Sequence, residues 1–138
     1  MTLVVDASVA VKWVLPEADS GRAVSVRELD DDLIAPSLVC AEIGSAIWRT
    51  VLRGDLPAAE ASDYLKVAVA HYQRIVPLVE LTDAAIALAI RLKHPIYDCF
   101  YLALAERERC ALVTADSRLI AAAKGIKIVE VRNLQEIQ

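Results

Sequence analysis

The chain has 138 residues, a net charge of −4, and 57% hydrophobic against 25% charged residues, which suits one domain spanning 1–138 with ample apolar side chain for a core. Its apolar runs fall short of the roughly 20 residues that a bilayer span needs, and Asp6 interrupts the N-terminal run before a signal-peptide core can form, so a cytoplasmic protein without membrane contact is expected. The acidic balance argues against a broad phosphate-binding surface, unless several of the acids hold a divalent cation that changes the sign of the local field.

Leu3-Val4-Val5 reads as a short strand ending at Asp6, and Ala7 to Leu15 carries helical spacing until Pro16 stops it. A polar helix from about Glu17 to Leu29 leads through the acidic turn Asp30-Asp31-Asp32 to a strand at Leu33-Ile34-Ala35. The next helix runs from Ser37, as its cap, to about Arg53, with Gly54 as its stop. Pro57 suits the first turn of a helix reaching about Arg74. A strand at Ile75 to Leu81 follows, then a helix capped by Thr82 and running to Lys93. Asp98 opens a helix through Arg109, Ala111 to Thr114 is a strand, Asp116 opens a helix to Lys124, and Lys127 to Val131 is the last strand. Cys40, Cys99 and Cys110 are odd in number, too far apart for a zinc motif and set among apolar neighbours, so they read as buried free thiols.

Strands separated by helices of these lengths imply parallel pairing through right-handed crossovers, hence an α/β sandwich with a central sheet of four to five strands and helices on both faces. Ligands of such sheets bind beyond the carboxyl ends of the strands. Asp6 and Asp116 both fall at that edge.

Of 19 acids, few interrupt apolar sequence: Asp6 is the only charged group in 1–11, Glu42 in 33–48, Asp98 in 95–105 and Asp116 in 110–117. An ionised carboxylate beside a core is costly unless paired or metal-bound, which makes each a candidate for function. Asp83 is also isolated, but it follows Thr82 at a helix start, where amides and dipole favour an acid. The same capping role is open to Asp6, Asp98 and Asp116. Glu42 lies more than a turn inside its helix and is the strongest anomaly; its structural alternative is an ion pair, for example with Arg49.

If the four converge, their repulsion calls for a hard cation, and oxygen ligands select Mg²⁺ or Mn²⁺. Such a cluster suits phosphodiester chemistry. Ser8, two residues after Asp6, and Thr114, two before Asp116, are placed to support it by hydrogen bonds, or are ordinary cap and turn hydroxyls. Lys12, Arg49, Arg53 and Arg118 lie near these segments and are the candidates for holding a phosphate backbone, with a solvated helix face as the alternative for each.

Four segments, Val4-Val5-Asp6-Ala7-Ser8, Pro36-Ser37-Leu38-Val39-Cys40-Ala41-Glu42-Ile43, Tyr97-Asp98-Cys99-Phe100-Tyr101-Leu102-Ala103-Leu104-Ala105 and Leu112-Val113-Thr114-Ala115-Asp116-Ser117-Arg118-Leu119, occur in order along nearly the whole chain. Together they resemble the PIN-domain ribonucleases, and within them the VapC-type toxins of prokaryotic toxin–antitoxin pairs. The resemblance implies a PIN-like three-layer sandwich and a Mg²⁺- or Mn²⁺-dependent endoribonuclease, usually a homodimer, inhibited by a cognate antitoxin that inserts a segment near the acidic pocket. It makes Asp6, Glu42, Asp98 and Asp116 the catalytic acids, with Asp6, Asp98 and Asp116 as ligands of the ion and Ser8 and Thr114 as accessory hydroxyls. Some relatives carry a further acid two residues after the fourth; this chain has Arg118 there, which puts a second metal position in question.

Other readings make different demands. A housekeeping PIN nuclease of RNA processing would share the same site. A metal-free ribonuclease could use His71 and His94 as acid and base, and would ignore a chelator. A phosphoacceptor receiver domain has this length and element order, but normally offers an acid pair after the first strand and a lysine after the last. A non-catalytic binding module would use the acids as caps and Trp13, Trp48 and Tyr97 as a partner surface. No Gly-rich turn follows a strand, which disfavours a dinucleotide site.

Overall fold

A computed structural model describes residues 1–29, 31–126 and 129–137. Five strands, β1 (Thr2–Val5), β2 (Asp32–Pro36), β3 (Arg74–Val76), β4 (Ala111–Thr114) and β5 (Val131–Asn133), form one sheet in the order β3-β2-β1-β4-β5. Every pairing is parallel. Leu3, Val4 and Val5 of the central strand are all buried, so both sheet faces are covered, as an all-parallel sheet requires.

Among the described residues, seven α-helices supply that cover: α1 (Ala7–Ala10), α2 (Ser20–Arg27), α3 (Leu38–Leu52), α4 (Ala61–Val69), α5 (Thr82–Leu92), α6 (Ile96–Glu108) and α7 (Ser117–Ala123). The α6 helix packs on β1, β2 and β4, and α5 packs on α6; α3 touches β2, α1 and α4. Cys99 to Ala105 of α6 are all buried, so this helix is apolar all round rather than amphipathic. The sandwich expected from the element order is therefore present, with five strands. No helix among the described residues is long and apolar enough to cross a membrane.

Several boundaries differ from the expectation, each for a local reason. The helix expected over 7–15 is one α-turn followed by a 3-10 turn at Val11–Trp13, because Trp13 turns inward to donate Nε1–H to the Ala23 carbonyl at 2.8 Å. The helix expected over 17–29 shrinks to Ser20–Arg27; Asp19, in the left-handed region, sets its start. Ser37 does not cap α3: its backbone is already helical, and its Oγ accepts from Leu78 N–H at 3.2 Å, tying β2 to the segment after β3. Gly54, at φ 82, does follow the end of α3.

Beyond Pro57 the chain makes a 3-10 turn at Ala58–Glu60 before α4, which stops at Val69 rather than near Arg74. The strand expected over 75–81 is β3 alone, and Leu78–Glu80 is a 3-10 turn. Thr82 lies inside α5 and bonds back to the Leu78 carbonyl rather than capping. Asp98 is the third residue of α6, which Pro95 and Ile96 open. Of the turn expected at 30–32, Asp30 lies outside the described residues, and Asp32 starts β2. The last strand begins at Val131; Lys127 and Ile128, where it was expected to start, lie outside the described residues. All three cysteines are free, but only Cys99 is buried; Cys40 and Cys110 are partly exposed.

Candidate active site at the carboxyl edge of the sheet

Asp6 follows β1, the middle strand, and is 5% exposed. Its backbone N–H donates to the Val113 carbonyl at 3.3 Å, which locks it against the end of β4. The preceding carbonyl, of Val5, accepts the buried Tyr72 hydroxyl at 2.7 Å. Asp6 occupies the position before α1, but its side chain makes no capping bond. Instead Ser8 Oγ donates to Oδ1 at 2.6 Å and Thr114 Oγ1 donates to Oδ2 at 2.6 Å.

Both hydroxyls are themselves held by the turn after β4. Ala115 N–H donates to Ser8 Oγ at 2.9 Å, and Asp116 N–H donates to Thr114 Oγ1 at 3.0 Å. Two parallel relays thus run from backbone amides through hydroxyls to the two oxygens of one carboxylate, an arrangement in which each bond polarises the next. Ser8 and Thr114, read from the sequence either as supports of a carboxylate or as ordinary cap and turn hydroxyls, both donate to Asp6.

Burial pushes the Asp6 carboxyl up from 3.8 to about 7. The two hydroxyls pull it down and the charges of Glu42 and Asp116 add to the rise, but desolvation is the larger effect. Glu42 is likewise raised, by burial first and then by Asp98 and Asp116, against the opposing bond from Tyr101. The four acids nominated by their isolation in the sequence therefore feel one another across four separate segments. Asp116 also caps α7, accepting from Arg118 N–H at 2.9 Å. Capping thus describes part of what Asp116 does and fails for Asp6.

Glu42 does not pair with Arg49, whose guanidinium donates to Ser45 Oγ at 2.9 Å. The buried Tyr101 hydroxyl on α6 donates to Glu42 Oε1 at 2.5 Å instead. His94, just after α5, lies 2.6 Å from Asp98 Oδ2. Neither Tyr101 nor His94 was singled out for these roles by sequence reasoning; the i,i+4 spacing of His94 and Asp98 was the one available signal. His71 packs edge-on against Trp13, and burial lowers its pKa. The two histidines thus sit in different surroundings, His71 against Trp13 and His94 against Asp98.

Beside the acids opens a cavity of about 350 Å³, lined by Ser8, Lys12, Glu17, Glu42, Arg49 and Ala115 among others. Lys12 donates to the Ala18 carbonyl at 2.8 Å and lies 3.9 Å from Glu17, whereas Arg49 is exposed. Arg53 bonds to Asp55 and Thr50 beyond the end of α3, and does not line the cavity. Arg118 is exposed at the start of α7.

The sequence profile of the PIN domain matches residues 3–125. The chain belongs to the PIN-domain family. This PIN domain is 36% identical over 121 residues to the VapC ribonuclease Mb0985 of Mycobacterium bovis, covering 85% of this chain and 87% of that protein. The crystal structure of PAE2754 from Pyrobaculum aerophilum superposes with a TM-score of 0.69 at 26% identity, over 98% of this PIN domain and 85% of that chain. The structure of VapBC2 from Rickettsia felis, bound to a DNA fragment from their promoter, superposes with a TM-score of 0.71 at 15% identity, over 96% and 98% of the two chains, a likeness of fold alone.

Proposed function

We propose that this PIN domain is a Mg²⁺- or Mn²⁺-dependent endoribonuclease, the toxin of a toxin–antitoxin pair, working through Asp6, Glu42, Asp98 and Asp116. The observation that carries the reading is Asp6: a buried carboxyl near Glu42 and Asp116 with no cationic partner among the described residues. A structural acid in that position would be better replaced by an apolar side chain.

The residues suit a hard divalent ion. All four acids offer oxygen, and the Asp6 and Glu42 carboxyls are raised by burial first and by neighbouring carboxylates after it, a setting that a bound cation would relieve. Among the described residues no three His, Cys, Asp or Glu side chains are gathered tightly enough to enclose an ion. The ion is assigned to Asp6, Asp98 and Asp116 acting with water, since Mg²⁺ usually keeps several waters. When bound, the ion supplies Lewis-acid polarisation of a phosphodiester and a water of lowered pKa.

The protein's own part is to hold and move protons. Ser8 and Thr114 fix both oxygens of Asp6. Tyr101 occupies Oε1 of Glu42, so Oε2 is the atom that takes up a proton from an attacking water. The test is cleavage of single-stranded and structured RNA by the partner-free protein with Mg²⁺, with Mn²⁺ and with EDTA, beside Asp98→Asn. Cleavage is expected only with metal and only with Asp98 present. Cutting that survives both EDTA and the substitution would remove the metal mechanism.

RNA is held, in this reading, by Lys12 and Arg49 along the cavity wall and by the exposed Arg118. Lys12→Ala with Arg49→Ala is expected to raise KM for RNA about tenfold with little change in kcat, and to flatten the salt dependence of KM, because a cation removed from the phosphate backbone leaves its counterion in place when RNA binds. An unchanged salt slope would exclude both residues from the backbone.

The antitoxin partner finds an apolar groove between α3 and α4, lined by Ile47, Trp48, Val51, Ala61 and Leu65, with Trp48 59% exposed. Such a groove fits the apolar face of a partner helix. Ile86 and Ile90, one turn apart on α5 and both exposed, supply apolar surface for the homodimer that the reading includes.

A further inference from the structure

We infer that His94 is a positioning residue for Asp98: its ring holds one carboxylate oxygen so that the other faces the acidic site. The inference rests on the four-acid reading above and goes beyond it, because His94 belongs to none of the segments that carry the family resemblance. The corner between α5 and α6 is built around this contact. After Leu92 the chain turns through Lys93 in the left-handed region, at φ 52, a conformation uncommon for a side-chain-bearing residue. His94 N–H then donates to the Ala89 carbonyl at 3.1 Å, and Pro95 starts α6 from an extended backbone. Asp98 follows in the first turn of α6, and the ring reaches it with Nε2 2.6 Å from Oδ2.

The pair is not a loose surface contact. The side chains of His94 and Asp98 are 16% and 24% exposed, whereas each Lys or Arg pair among the described residues includes at least one partner more exposed than either. A carboxylate oxygen accepts, so the ring donates from Nε2, and a neutral imidazole suffices for this. The bond fixes the rotation of the Asp98 carboxyl about its own axis. Each of the four acids then has a dedicated donor: hydroxyls for Asp6, an amide for Asp116, a phenol for Glu42 and an imidazole for Asp98. Donors of this kind, behind a carboxylate that binds an ion, typically hold 10–100-fold in metal affinity or activity.

The experiment compares His94→Phe, which keeps a ring and removes the donor, with His94→Gln, which keeps an N–H donor. Mn²⁺ binding is measured by calorimetry on the full chain without RNA. Metal-free melting is recorded for both variants, and kcat and KM at saturating Mn²⁺. His94→Phe is expected to bind Mn²⁺ about 10–100-fold more weakly, with kcat partly restored at high metal and KM for RNA unchanged. His94→Gln should stay within about threefold of the parent. Should His94→Phe not melt cooperatively, His94→Ala takes its place with the same expected loss. Parental affinity in the donor-less variant, or equal loss in His94→Gln, overturns the assignment. Asp98→Asn in parallel separates the two readings: if it weakens Mn²⁺ binding and His94→Phe does not, only His94 is misassigned. If Asp98→Asn itself binds as the parent does, the four-acid site fails with it.

Discussion

Asp6→Asn is expected to abolish RNA cleavage and, in metal-free buffer at pH 8, to melt a few degrees above the parent. The first effect follows from removing a charged oxygen from the middle of the site, a loss on the order of 10³-fold or more for a member of a catalytic set. The second follows from burial. A carboxyl raised from 3.8 to about 7 carries an ionisation penalty in the fold on the order of 4 kcal/mol at high pH. Asparagine is close to the same shape and uncharged. Its carbonyl can accept one of the two hydroxyls, and its amide can donate to the other once that hydroxyl turns. Part of the penalty is thereby relieved, about 1–3 kcal/mol, or several degrees in a domain of this size. Activity assays and calorimetric melts at one pH check both halves. A variant that cuts RNA at the parental rate removes Asp6 from the mechanism. One that melts far below the parent makes the carboxylate a structural group.

The second large effect is the pH dependence of metal binding and stability. Asp6 is raised in the fold, so its contribution to stability is full below about 4, where it is protonated folded or unfolded. That contribution is lost progressively as pH rises toward 7 and the folded site ionises against its surroundings. Glu42, raised by burial, adds in the same direction. The metal-free protein should therefore lose stability between about pH 4 and 7. A bound ion reverses this, because it needs the ionised carboxylates and competes with their protons. Mn²⁺ affinity is expected to fall about tenfold for each pH unit below 7, and the melting increase on adding Mn²⁺ to grow from about pH 5 to 7 and to level off above it. Thermal melts over that range, with and without Mn²⁺, decide it. A metal increment independent of pH would mean that no buried carboxyl is displaced from its proton.

The four carboxylates drew attention because burial and charge conflict: Asp6, Glu42, Asp98 and Asp116 each stand alone in apolar sequence, as does Asp83, which its place at a helix start set aside. Their donors were harder to see. Tyr101 lies among apolar residues of α6, where an aromatic ring is ordinary core, and nothing local to that helix marks its hydroxyl as the partner of Glu42, 59 residues away in sequence on α3. His94 precedes Asp98 across a helix boundary, where a sequence spacing of four guarantees no contact. Strands β1, β2 and β4 were readable from their β-branched and apolar runs, since they lie inside the sheet. β3 and β5 are its edges, each three residues long, and tertiary pairing rather than local composition set where they begin. Ser37 and Thr82 matched the composition of a cap, but each hydroxyl found a different partner in the segment after β3.

The order of the sheet bears on how this protein is born. β1 is synthesised first and ends up in the middle, flanked by β2 and by β4, which begins at Ala111. The hydroxyl that grips Asp6 Oδ2 belongs to Thr114, 108 residues downstream. A growing chain therefore exposes Asp6 long before it can supply the other half of the cradle, and contacts of such sequence separation are the slow ones to close. The acidic centre is assembled only when β4 docks against β1. A nascent or truncated chain ending before β4 would hold three of the four acids and lack both Thr114 and Asp116.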